Sequence, residues 1–209
     1  MKQHLRTLLL AVSAMSLTSC LSLETELDLR REDALVLTMR YTVDRALWEL
    51  GVFDEESQER AVPVSRRDAE ETALRYSDVT LEEYRLEDKG EEVTVSVRYR
   101  AETVESLRAL WGTAAGTPIA FQAGYRGVSI PLATGPESVD PEQRAFIHDL
   151  FRDRHLRITV ITPGPIEHVA LTAPESDRQE QREGNRYSLT IPLAELLTFT
   201  GTSEIVLDW

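Results

Sequence analysis

Leu35-Val36-Leu37-Thr38-Met39-Arg40-Tyr41-Thr42-Val43 is the stretch that decides the fold. Its odd-numbered positions are all apolar, while Thr38, Arg40 and Thr42 between them are polar. An extended chain sends successive side chains to opposite faces, so a period of two reads as a strand with one face in a core and the other in water. Just upstream, Leu23, Leu27 and Leu29 alternate with Glu24, Glu26 and Asp28, and the polar run Arg30-Arg31-Glu32-Asp33 makes a turn between the two strands.

The same pattern returns downstream. Val79 to Glu87 and Val93 to Tyr99 read as a second hairpin turning at Asp88-Lys89-Gly90. Helices are expected after each hairpin. Asp44 can cap a short one through Arg45 to Leu50, stopped by Gly51. Phe53 to Val64 is acidic, holds Pro63 and reads as a loop. Ser65 with Asp68 is a capping-box pair opening a helix that turns Ala69, Ala73 and Tyr76 inward, with Leu74 near that face. Val104, Leu107, Leu110 and Trp111 mark one face of another helix, expected to end at Gly112. Hairpin, helix, hairpin, helix predicts an α+β fold: an antiparallel sheet built from hairpins, with helices packed on one face.

The second half is less regular. Ile119 to Ala133 has strand character, broken by Gly124 and Gly127. Asp140-Pro141 followed by Gln143 is a helix start, with Phe146, Ile147, Leu150 and Phe151 as its apolar face. Leu156, Ile158 and Val160 make a strand closed by Pro163-Gly164-Pro165, and a return strand is expected over Ile166 to Leu171. Pro174 to Gly184 reads as a solvated loop. Tyr187, Leu189 and Ile191 form the next strand, Leu193 to Phe199 a short helix, and Ile205, Leu207 and Trp209 a last strand.

Residues 1–19 read as a leader. Lys2 and Arg6 form a positive start, and Leu8 to Leu17 is an apolar run of about ten residues, too short to span a bilayer as a helix. Leu17-Thr18-Ser19-Cys20 then resembles the lipobox of bacterial lipoproteins. That resemblance implies acylation of Cys20, cleavage before it, and a membrane held through two or three acyl chains, where one chain alone would bind marginally. Residues 20–209 then form a single α+β domain, with a subdivision conceivable near 113–118.

Cys20 is the only cysteine, so its acylation leaves no thiol for a disulfide, a metal or a nucleophile. The chain carries 36 acidic and 23 basic side chains, a net charge of −13, and loss of Lys2 and Arg6 with the leader takes this to −15. Such a surface repels nucleic acid at long range, so no nucleic-acid partner is expected.

An apolar strand ending in Pro-Gly, a return strand, a polar turn, an aromatic-containing strand and a short helix make up the end of the chain. The key stretches are Ile158-Thr159-Val160-Ile161-Thr162-Pro163-Gly164 and Asn185-Arg186-Tyr187-Ser188-Leu189-Thr190-Ile191-Pro192. With a hairpin directly after Cys20, this layout resembles LppM-type bacterial lipoproteins, and also short envelope lipoproteins of spirochaetes. The LppM-type pattern often has Trp in the late strand, where this chain has Tyr187 or Leu189, and those proteins can carry a C-terminal membrane helix, of which this sequence shows none. The resemblance implies an α+β domain and lipid-related binding in the envelope, and it brings no catalytic residues to transfer.

Motifs that specify chemistry are absent. Ser129 in Gly127-Val128-Ser129-Ile130-Pro131 is not a nucleophile elbow, and Gly124-x-x-Gly127 lacks the Lys-Ser/Thr ending of a phosphate loop. His148 and His155 lie seven apart, with Asp149 and Asp153 nearby, whereas a helical metal site prefers an i, i+4 pair. The acid runs 54–56, 70–71 and 82–83 read as solvated faces. No enzyme, metal or cofactor is therefore expected. Two non-catalytic functions stay open on the periplasm-facing or cell-surface side of the envelope. One is binding of a lipid or other apolar ligand by Trp48, Trp111, Phe121, Tyr125, Phe146 and Phe151. The other is assembly with envelope proteins through an exposed edge strand or an acidic face.

Overall fold

The computed structural model describes residues 22–49, 63–115, 119–121, 126–134 and 138–209. The leader, Cys20, the stretch 50–62 and Tyr125 lie outside the described residues.

The first hairpin is β1 (Ser22–Asp28) and β2 (Leu35–Asp44), paired antiparallel with Leu27 opposite Leu37. A short helix α1 (Arg45–Glu49) follows, then α2 (Arg66–Leu74). Ser65 opens α2 as a true capping box: its hydroxyl accepts from the Asp68 amide, and the Asp68 carboxylate accepts from the Ser65 amide. The second hairpin is β3 (Val79–Asp88) and β4 (Glu92–Ala101), with β4 also pairing β2, and α3 (Val104–Ala115) comes next. Then follow β5 (Ala120–Phe121), β6 (Gly127–Thr134), α4 (Pro141–Leu150), β7 (His155–Ile161), β8 (His168–Thr172), β9 (Gln179–Glu183), β10 (Arg186–Pro192), α5 (Leu193–Thr198) and β11 (Thr202–Asp208).

The result is a mixed α/β fold, mostly strand, dominated by antiparallel pairing. It departs from one hairpin-built sheet in two ways. The described residues form two sheets, a seven-stranded one in the order β3-β4-β2-β1-β7-β10-β9 and a four-stranded one in the order β5-β6-β11-β8. In the larger sheet β1 and β7 run parallel, joining the N-terminal hairpins to the C-terminal strands. One contiguous core takes Leu37, Tyr41, Val97, Tyr99 and Tyr187 from the large sheet, Ile130, Ile205 and Leu207 from the small one, and Leu107 and Trp111 from α3. The helices occupy separate positions. α2 packs on β3, α3 touches β2, β4 and β6, and α4 pairs with α5 around a second cluster of Ile147, Phe151 and Ala194.

Four local expectations are corrected. The return strand β8 does not pair with β7; it joins β11 in the small sheet. Pro163 and Pro165 supply no N–H for a ladder, and the chain turns out through Thr162, whose hydroxyl donates to the Gly164 carbonyl at 2.7 Å. The stretch Pro174 to Gly184 contains a strand, β9, exposed along its whole length and paired with β10 through the two-residue turn Gly184-Asn185. Gly184 sits at φ +58°, the left-handed region such hairpin turns favour at their first position. Gly112 does not end α3, which continues to Ala115. Leu74 and Phe146, both placed on or near apolar helix faces, are 83% and 52% exposed. α2 ends at Leu74, beyond the turn that Ala69 and Ala73 dock on β3.

Candidate functional site: the outer face of the large sheet

Apart from the fully exposed β9, the strands of the large sheet send one set of side chains into the core and the other set outward. The register lines the outward residues up in crosswise rows. One row runs Ser96, Arg40, Glu24, Arg157, Thr190, Gln179 across β4, β2, β1, β7, β10 and β9. The next runs Arg98, Thr38, Glu26, Thr159, Ser188, Gln181 over the same strands. A third brings Arg100, Asp28 and Arg186 together with Val36, Ile161 and Glu183. Neighbouring strands lie about 4.8 Å apart, so residues within a row are direct neighbours.

The charges are arranged so that arginines outnumber acids at the centre. Glu24 lies between two of them, 3.9 Å from Arg40 and 3.8 Å from Arg157. Arg186 donates to Glu26 at 2.9 Å, and Glu82 takes Arg98 at 2.9 Å and Arg100 at 3.3 Å. Arg40, Arg157 and Arg186 keep about half of their side-chain surface exposed, at 48%, 56% and 50%. Between the charges, the Thr159 and Ser188 hydroxyls share a hydrogen bond at 3.1 Å. Asp28 at the rim is held below the usual carboxylate range, chiefly by the Arg30 side chain, against an opposing push from partial burial.

Three hollows adjoin on this side of the molecule. One of about 280 Å³ lies over β7, β10 and β9, with Arg157, Arg186, Thr159 and Ser188 among its lining. A second of about 320 Å³ shares Arg157, Thr159 and Arg186 with it and extends to Glu24, Thr38, Arg40 and Arg98. The third, about 600 Å³, opens at the end of the sheet between α4 and α5; it shares Gln179 with the first and is lined by His148, Asp149, Asp153 and His155. His148 Nε2 stands 3.8 Å from Glu195 Oε1 in this cleft. Both histidines singled out in the sequence therefore reach one cleft. Among the described residues, no three His, Cys, Asp or Glu side chains gather as a metal-ligand set.

The six aromatic candidates are dispersed. Trp111 is 5% exposed inside the main core, and its indole N–H finds no hydrogen-bond partner among the described residues. Trp48 and Phe121 are partly buried against that same core. Phe151, the C-cap of α4, is buried in the α4–α5 cluster, whereas Phe146 within α4 is 52% exposed. Tyr125 lies outside the described residues. Ser129 gives its hydroxyl to Glu204 on the adjacent strand. The outward arginines escaped the sequence reading because they come from strands spread between residues 40 and 186. The available signal was that each sits at a polar position of an alternating strand.

No protein family matches the chain, and no curated protein matches it. Among solved structures it is similar to the folded domain of the Mycobacterium tuberculosis LppM protein, determined by NMR, with 10% sequence identity, coverage of 91% of this chain and 90% of that one, and a TM-score of 0.45.

Proposed function

We propose that this protein is a lipid-anchored component of a bacterial cell envelope that acts by binding, not by catalysis, through the outer face of its large sheet. The observation behind this reading is the contrast between the sheet's two sides. One is sealed in the core; the other presents adjoining polar hollows lined by four arginines, Arg40, Arg98, Arg157 and Arg186, against two acids, Glu24 and Glu26. In a chain with a net charge of −13, this patch is locally basic. An open, hydroxyl-rich surface of this kind suits a polar partner from the envelope. The edge strands fit the reading as well. β9 is Gln179-Glu180-Gln181-Arg182-Glu183, and charged edges resist strand addition, so docking falls to the face.

The anchor orients the surface. Ser22, two residues after Cys20 in the sequence, already pairs in β1, so an acyl anchor on Cys20 leaves only a short tether. A photo-crosslinking residue at Thr38 or Ser188, in the full chain expressed in its bacterial host, tests the assignment. Specific adducts are expected from those two positions and not from Thr202 on the small sheet; the reverse pattern would refute it. Cys20→Ser should release the protein from the membrane fraction.

A second reading, contact with lipid, is favoured by Phe146 and Leu197. They are 52% and 36% exposed on α4 and α5. α5 follows Pro192, which is opposite His155, at the same end of the sheet as Ser22. That end lies nearest the acyl chains, where a partly exposed aromatic can enter the bilayer interface.

A further inference from the structure

We infer that the hollow over β7, β10 and β9 is a phosphate-binding site, with the oxyanion seated on the Thr159–Ser188 hydroxyl pair between Arg157 and Arg186. This deepens the binding reading above by naming the chemistry that one part of the face recognises. The lining consists of Arg157, Arg186, Thr159, Ser188, Thr190 and the glutamines 179 and 181, with no carboxylate among them. Every one of these side chains can donate a hydrogen bond. A surface on which every side chain can donate, and two are permanent cations, favours a ligand rich in acceptors. A phosphate group is that ligand, and guanidinium groups match its oxygens in bidentate geometry.

The register gives the site its shape. Thr159 is directly opposite Ser188, Arg157 opposite Thr190, and Arg186 opposite Ile161. Each arginine thus starts two residues from the hydroxyl pair, on opposite sides of it, or about 7 Å along the strands. That is within reach of an arginine side chain, so both can close on one anion. Part of the donor capacity is already committed. Arg157 donates through Nε to Thr190 at 3.3 Å, and Arg186 through Nη2 to Glu26 at 2.9 Å. Those bonds fix the stems, and among the described residues the remaining guanidinium N–H groups of Arg186, and Nη2 of Arg157, make no hydrogen bond. The Thr159–Ser188 bond uses one hydroxyl proton, which leaves the other O–H to donate to a ligand. Thr159 is only 6% exposed, at the base of the hollow. The hollow, at about 280 Å³, exceeds a bare phosphate and leaves room for the group it esterifies.

The test is calorimetric titration of inorganic pyrophosphate into the full lipidated protein in nonionic detergent micelles, at fixed ionic strength. Saturable binding is expected. Arg157→Gln and Arg186→Gln should each weaken it about tenfold or more, the usual effect of losing a charged hydrogen bond. Arg67→Gln, exposed on α2 and outside this hollow, should change it by less than about threefold, since an exposed charge at that distance is screened. Thr159→Val reads the floor separately from the charges and should also weaken binding. Unsaturable titration, or equal affinity in all four variants, would overturn the site. Doping the micelles with phosphatidylglycerol identifies the source. Displacement of pyrophosphate points to a lipid headgroup, and undiminished binding points to a soluble phosphate ester. Both outcomes keep the oxyanion site. Its failure would leave the crosslinking and fractionation results untouched, so the two proposals fall separately.

Discussion

Leu37 and Thr38 are neighbours in β2, and one peptide bond separates two different regimes. Leu37 is 1% exposed and packs in the core with Tyr41, Val97 and Tyr99. Thr38 faces outward, in a row with Arg98 and Glu26. On the inner side the free energy comes from removing apolar surface from water, and shape decides it. On the outer side it comes from half-exposed ion pairs and hydroxyl bonds, which contribute little to folding. A locally basic surface that adds little stability can be altered with little cost to the fold, which makes the proposed binding testable there. Exchanging side chains across that boundary would break the comparison most directly. Leu37→Ala should cost about 2–5 kcal/mol in urea unfolding, through lost burial and the cavity left behind. Thr38→Ala, one residue away, should stay within about 0.5 kcal/mol. Similar values for the two would end the distinction between the faces.

Tyrosines sharpen the same contrast under alkali. Tyr99 and Tyr187 are buried on the inner side, and burial first of all pushes both hydroxyls well above the ordinary tyrosine range. The Tyr187 hydroxyl also donates to Glu180 at 3.0 Å, which further disfavours its ionised form. Their contribution is complete below the unfolded tyrosine pKa of about 10 and is lost as the pH rises from there toward the raised folded values. Stability should therefore fall above about pH 10, and ultraviolet titration should show both groups ionising only as the protein unfolds. Tyr187→Phe should flatten part of that fall. Two tyrosines titrating freely in the folded protein would show that the inner face admits water.

Local periodicity made the inner face legible, and it did so strand by strand. Val93, Val95, Val97 and Tyr99 needed only their spacing to be assigned, because one buried face imposes a period of two wherever the strand lies in the sheet. β9 was illegible for the complementary reason. Gln179-Glu180-Gln181-Arg182-Glu183 buries neither face, so no apolar residue marks it. The signal that remained was the Gly184-Asn185 turn, which implies a strand on each side. The parallel pairing of β1 with β7 joins residues more than 130 positions apart, and nothing in a local pattern encodes such a partner. The candidate site suffers most from this. Arg157, Thr159, Arg186 and Ser188 each looked like an ordinary exposed position, and only the register makes them one hollow.

Ser65 ranks next among the expected effects. Its hydroxyl and the Asp68 carboxylate satisfy amides at the start of α2, which supports β3 at one edge of the sheet. Ser65→Ala should cost about 1 kcal/mol in the same unfolding experiment. The loss is local to the cap, so phosphate affinity at the far side of the sheet should not move.

Arg98 carries the smallest expected effect and the most discriminating one. It pairs with Glu82 at 2.9 Å, 43% exposed against 33% for its partner. An exposed pair of this kind is typically worth about 0–1 kcal/mol, because each ion keeps most of its hydration and the attraction is screened by salt. Arg98→Gln should therefore leave the unfolding midpoint nearly unchanged. It removes one of four arginines that line the hollow shared with Glu24 and Glu26, so crosslinking from Thr38, in the same row, should fall while the fold persists. A large stability loss with crosslinking intact would mean that the outer face serves the fold after all. Little change in stability with lost crosslinking would separate the two faces by what each is for: the inner one holds the sheet, and the outer one meets a partner.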